Sequence, residues 1–330
     1  MKHRKIQLGI FILLVIVSLA ILAYMKFFNG NYVYFTTGLN DSTIFKVADK
    51  TATKVETKVL LSDAKNQYEE FFGEDVWNQN IEGISFEDYA KNQIRSKLIR
   101  IKCMNELADE RGVVLDRTEI ANVEKATNEY MAALTSDEIS SLGVTESDVS
   151  HMFTEFATAQ RLFNDMTSQV AVEVSSDQAR VISIQYISVD SSDKIDIAKA
   201  RIDAGDSFFY VARETNSDGE YEYELKRGEM DTVFEDAAFN LKTGETSNII
   251  QCGEKYYIIK CISDNNKTKT ESNKNSIISD KKLNAFNDIF ESYEASLYVE
   301  FNENIWAKFK MPEVVKTSAN FENIFDSYFK

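Results

Sequence analysis

Apolar positions change rhythm several times along this chain, and each change predicts a different kind of element. From Ile6 to Met25 there is no charged residue at all. Twenty such residues in a helix match the ~30 Å hydrocarbon layer of a membrane. Residues 30–60 (VYFTT, TIFKVADKTAT, KVETKVLL) are β-branched and aromatic with partial alternation, which predicts extended chain and a short hairpin. From Ser62 to about Met166 the period becomes helical. Ser85 with Asp88, Thr135 with Glu138 and Thr145 with Asp148 have the spacing of capping boxes. Asp116 opens a further helix, and Gly112 stops the one before it.

Between Val181 and Ile262 the pattern is mixed. It predicts a strand (181–189), a helix (193–204), a short helix (208–214), a polar loop (215–226), another short helix (231–239) and two strands (247–251, 255–262). That is a small α+β unit with an antiparallel sheet. SDNNKTKTESNKNS (263–276) reads as a linker. A long amphipathic helix is expected from Ile277 to Lys310. Its stripe of Leu283, Phe286, Phe290, Leu297, Phe301 and Ile305 must dock, most simply on the earlier helices. FNDIFESY (286–293) recurs as FENIFDSY (321–328). The recurrence reads either as chance similarity of two amphipathic turns or as one face used twice, the tail filling a groove that also receives clients.

The motifs within 181–262 resemble the parvulin-type (PpiC-like) peptidyl-prolyl isomerases. That family has a strand with a His-Ile-Leu-Val run, then Gly-x-x-Phe, then Gly-x-Met-x-x-x-Phe-x-x-Ala-x-Phe, a Thr-Gly-Glu turn and a second His before Ile-Ile. This chain has Gly205 with Phe208 and Ala212, then Gly228, Met230, Phe234, Ala237 or Ala238, and Phe239. Thr243-Gly244-Glu245 and Ile258-Ile259 follow. The resemblance implies a proline pocket lined by Met230, Phe234 and Phe239, with Asp218 near the substrate carbonyl. The family histidines align with Gln185 and Tyr257, which the resemblance makes the catalytic pair together with Asp218. The helices and apolar N-terminus are similar to the wider architecture of extracytoplasmic foldases.

The expected fold is therefore α+β. A basic flank and transmembrane helix (1–29) lead to a helical chaperone-like domain with N-terminal strands (30–175). A parvulin-like domain (176–263) is inserted, and a linker (264–276) leads to a C-terminal helix and tail (277–330) that complete the helical domain.

Composition narrows the function. Lys2, Arg4, Lys5 and Lys26 precede or flank the apolar run, which orients it with the N-terminus in the cytoplasm and the bulk outside. A cleaved signal peptide is the rival reading. The net charge of −16 repels nucleic acid and suits unfolded or partly folded secreted polypeptides as partners. A homodimer stays open. Cys103, Cys252 and Cys261 form no disulfide framework, and with only His3 and His151 there is no metal-ligand spacing. Cys252 is expected to face Tyr256 or Tyr257 across a hairpin. No cofactor is expected, since isomerising a prolyl bond breaks no covalent bond.

The reading is a membrane-anchored foldase with peptidyl-prolyl isomerase activity. The alternatives are a non-catalytic holding chaperone and a membrane-tethered adaptor.

Overall fold

The computed structural model describes residues 38–330 except Glu82, Ser217, Asp218 and 313–318. The expected transmembrane helix, the strand VYFTT and Asp218 lie outside the described residues. Among the described residues no helix is long and apolar enough to cross a membrane. The fold is mixed α+β and rich in helix. It divides into one unit made of residues 1–169 and 288–330 and a second made of 170–287.

The first unit begins with a hairpin, β1 (Thr43–Val47) and β2 (Lys50–Thr53). Helix α1 (Lys54–Phe72) follows at once. KVETKVLL, expected to be extended, is thus the start of a helix. Thr53 accepts from the Glu56 N–H while Glu56 accepts from the Thr53 N–H, so a complete capping box overrides the β-branched composition. After a 3₁₀ turn and a small hairpin, β3 (Asn80–Ile81) and β4 (Ile84–Ser85), comes α2 (Phe86–Arg111). Gly112 ends α2 in the left-handed region, at φ 68°.

Helices α3 (Arg117–Ala133), α4 (Ser136–Leu142) and α5 (Glu146–Thr167) each start on a complete capping box. Helix α5 packs on α2 and α3. Its buried face carries Val149, Met152, Phe153, Phe156 and Leu162.

The second unit holds α6 (Ser176–Ala179), β5 (Ile182–Val189), α7 (Ser192–Asp203), α8 (Phe208–Thr215), β6 (Glu222–Leu225), α9 (Thr232–Asn240), β7 (Ile250–Cys252) and β8 (Lys255–Ser263). Its strands form one antiparallel sheet in the order β6-β5-β8-β7. One face carries Ile182, Ile184 and Ile259 and packs on Phe234, Ala238 and Phe239 of α9. The other carries Ile187, Val189 and Ile258 and packs on α7 and α8. The segment 220–227, expected to be a loop, is largely β6. EYEYEL alternates, which puts Leu225 in the core and Glu222 and Glu224 outside. In the β7–β8 hairpin Cys252 is opposite Lys255, and Tyr256 and Tyr257 are opposite Gln251 and Ile250.

The polar stretch 264–276 is not a linker through most of its length. Helix α10 runs Lys267–Ser296, beginning in the second unit and ending in the first. The expected helix to Lys310 is correspondingly cut short. The chain turns into β9 (Val299–Phe301), which pairs with β1, and then α11 (Glu303–Trp306). Phe301 stacks on Phe45 at 6.4 Å, so the stripe read as helical serves partly as a strand. The chain ends in α12 (Phe321–Phe329).

Candidate functional site

Of the residues expected at the site, Phe234 and Tyr257 lie on the α9 side of the sheet and Met230 on the loop that leads into α9. Phe234 is fully buried and meets the Tyr257 ring edge-on at 5.1 Å. Met230 is 38% exposed, the only one of the predicted apolar contacts that is open to an incoming chain. Its loop is fixed from beneath. Glu235, itself buried, accepts from the Gly228 N–H at 2.7 Å and the Met230 N–H at 2.9 Å. Gly228 has φ 87°, a conformation costly for any residue with a Cβ. Asp231 caps α9 through the Val233 N–H. Cys252 packs against the same cluster, and burial raises its thiol pKa, with Asp231 adding to the effect.

Phe239, expected in the pocket, is a core residue. It is 4% exposed and roofed by two guanidinium groups, Arg180 at 5.0 Å and Arg227 at 4.2 Å from its ring. Asp177 pairs with both arginines. A substrate ring has no access to Phe239 past that lid.

Gln185 and Tyr257 do not meet. Gln185 lies opposite Lys260, and Tyr257 lies opposite Ser188. Alternation puts Gln185 on the α7–α8 face, with Ile187, and Tyr257 on the α9 face, with Ile259. The Gln185 amide donates instead to Glu222 at 3.1 Å on the exposed edge.

Of the β5 residues on the α9 face, Ile182, Ile184, Tyr186 and Ser188, Tyr186 adjoins Gln185 and pairs with Ile259. A one-residue shift in register exchanges the two faces of the strand. The neighbouring isoleucines carried the missing signal, because Ile182 and Ile184 share parity with Tyr186. Tyr223 of β6, paired with Ile184, lies on the same face. Its hydroxyl donates to Glu229 at 3.3 Å, and burial together with that carboxylate raises its pKa. Segment 220–227 thus places a tyrosine on the α9 face of the sheet.

Asn216 holds this edge in place. Its Oδ1 accepts from the Ser188 N–H at 2.9 Å, and its Nδ2 donates to the carbonyls of Tyr186 (3.0 Å) and Glu220 (2.6 Å). It is a positioning residue that the sequence shows only as part of a turn.

Residues 188–263 match the family described as "Rotamase: PPIC-type PPIASE domain". The second unit is a PpiC-type rotamase domain. Its class is therefore that of the peptidyl-prolyl isomerases. Along most of its length the chain is 23% identical to the "Foldase protein PrsA" of Caldanaerobacter subterraneus subsp. tengcongensis, covering 93% of this chain and 99% of that protein. It is 23% identical to the protein of the same name from Clostridium acetobutylicum, covering 77% and 86%. A crystal structure of peptidylprolyl isomerase PrsA from Bacillus anthracis aligns at 19% identity with a TM-score of 0.35, covering 61% of this chain and 95% of that one.

A second polar cluster lies outside the rotamase domain. Glu56, His151 and Glu155 have the spacing of metal ligands. However, the buried Lys102 ammonium already binds both carboxylates, Glu56 at 2.7 Å and Glu155 at 2.5 Å. The cation of this cluster is a lysine.

Proposed function

We propose that the protein is a membrane-anchored extracytoplasmic foldase whose rotamase domain isomerises prolyl bonds in secreted polypeptides and whose helical unit holds their unfolded segments. The anchor reading rests on the uncharged run Ile6–Met25 and its basic flank. The isomerase reading rests above all on Met230, a flexible apolar side chain open to solvent on the loop that leads into α9, the helix whose Phe234 meets the Tyr257 ring.

Rotation about the C–N bond must cross ~18–20 kcal/mol, and no atom is transferred. The pocket needs to hold the proline ring, exclude water and hydrogen-bond the twisted amide. Met230, Phe234 and Tyr257 supply the apolar contact. The hydroxyls of Tyr186 and Tyr257 on the α9 face supply neutral donors where the family carries histidines.

The test is prolyl exchange in an unstructured peptide, followed by NMR with the full chain in detergent. Exchange is expected to exceed the uncatalysed rate and to fall about tenfold in Met230→Ala. No acceleration at high protein concentration would favour the non-catalytic holding chaperone.

A further inference from the structure

The rotamase domain leaves one edge of its sheet open. Strand β6 pairs with β5 on one side, and among the described residues no strand pairs with its other side. The phase of the ladder shows which groups this leaves. The Tyr186 N–H donates to the Tyr221 carbonyl at 2.9 Å, so the backbone groups of Tyr221 face β5. Alternation gives Tyr223 and Leu225 the same role. Glu222 and Glu224 lie between them, and their N–H and C=O groups point away from β5. Both residues are exposed.

The side chains of these two residues add a second observation. Both stand on the face that carries Gln185. Neutral groups hold them there: Gln185 Nε2 donates to Glu222 at 3.1 Å, Ser183 Oγ to Glu224 at 3.1 Å and Asn266 Nδ2 to Glu224 at 3.3 Å. The nearby cations are engaged elsewhere, Lys226 with Glu229 and Arg227 with Asp177. Among the described residues no cation forms an ion pair with either carboxylate. Such an edge rejects its own copy, because any antiparallel pairing of two β6 edges sets glutamate opposite glutamate. It selects a strand of opposite charge. On the other face Tyr223, 40% exposed, offers that strand an aromatic ring, which its hydroxyl steadies by donating to Glu229.

We propose that β6 is a docking edge for extended chain segments that read basic–apolar–basic. The segment adds antiparallel to β6. Its two basic residues lie opposite Glu222 and Glu224, exchange main-chain hydrogen bonds with them and set their cations on the two carboxylates. The apolar residue between them lies opposite Tyr223, on the α9 face. The proposal rests on the reading of this domain as one that acts on polypeptide chains; it adds which chains, and through which strand.

The experiment titrates short fluorescein-labelled peptides without proline into the intact chain in a non-ionic detergent, read by anisotropy. One peptide has Thr-Lys-Val-Lys-Thr at its centre and one has Thr-Glu-Val-Glu-Thr. A further one is the first peptide methylated on both lysine backbone nitrogens, which keeps the charge and removes the donors. Expected is saturable binding of the first peptide, at least about tenfold weaker binding of the methylated one and none of the acidic one. Hydrogen exchange should slow in Glu222–Leu225 on binding and stay unchanged in β7. The double variant Glu222→Gln/Glu224→Gln should bind the first peptide about tenfold more weakly, with unaltered exchange in β5 and β8. Equal binding of the methylated peptide reduces the contact to charge and overturns the proposal. Equal binding of the acidic peptide, or protection confined to another segment, also overturns it. The peptide arms use the unaltered chain, so they decide even if the double variant does not fold. Binding is read apart from isomerisation. A chain that binds the first peptide but accelerates no prolyl exchange keeps the docking edge and loses the isomerase reading. A chain that accelerates exchange without binding it loses the docking edge alone.

Discussion

Asp63 holds its carboxyl in a place where charge is expensive. It is 2% exposed, its Oδ2 accepts the Phe321 N–H, and burial raises its pKa to about 8. Glu322 pushes in the same direction, Lys97 and the Glu322 N–H oppose it, and Tyr130 lies close by. In the unfolded chain the group titrates near 3.8. Below that both states are protonated and nothing is lost. Between about 4 and about 8 the unfolded chain gives up its proton and the folded chain must keep it, so stability declines as pH rises. Asp63→Asn is expected to flatten the fall of melting temperature across that window; an unchanged slope would refute the assignment.

Lys102 is the opposite case, a buried cation that two carboxylates require. Glu155 sits at about 7 even with Lys102 beside it, because burial outweighs the ammonium. Lys102→Met is expected to destabilise by ~3–5 kcal/mol in denaturant unfolding. The loss should be smaller at about pH 5 than at about pH 8, since protonated carboxyls need no cation. Neither residue could be singled out from the sequence. Nothing local marks Asp63 in SDAKNQYEEFF or Lys102 in RIKCMNE as buried, because the partners come from distant helices.

At the level of elements, what could be read in advance depended on how local the signal was. The α2–α5 helices and the β5, α7, α8, α9 and β8 order were legible because caps, glycine stops and period are encoded within a few residues. Helix α1 was misread because Thr53 and Glu56 form a capping box inside a β-branched run. Strand β6 was misread because charged residues hid a period-two pattern. The face of β5 was misread because a strand has two faces and a motif aligned by one residue exchanges them. Phe234 and Tyr257 were legible as partners, and their rings meet edge-on. Phe239 was not, since its covering arginines lie 59 and 12 residues away in the chain.

The corrected strand has a chemical consequence. The described pocket face offers tyrosines and no imidazole, and Tyr223 is shifted further from neutrality. The prolyl exchange rate should change less than about twofold between about pH 6 and about pH 8.5. A transition centred near 6.5 would mean that a histidine outside this unit governs the rate.

At the scale of the whole molecule, the first unit is discontinuous in sequence and the second is inserted within it. Its sheet shows this most directly, because β1 pairs with β9 across some 250 residues of intervening chain. Contacts of such span are the slowest to form. A chain delivered from its N-terminus therefore has the whole 170–287 unit before β9 arrives, and the edge of β1 stays unpaired throughout that interval. Pulse-labelled exchange during refolding should accordingly protect β5 and β8 before β1. The sheet of the first unit would then be among the last parts of the protein to close, because its third strand follows the whole inserted unit in the chain.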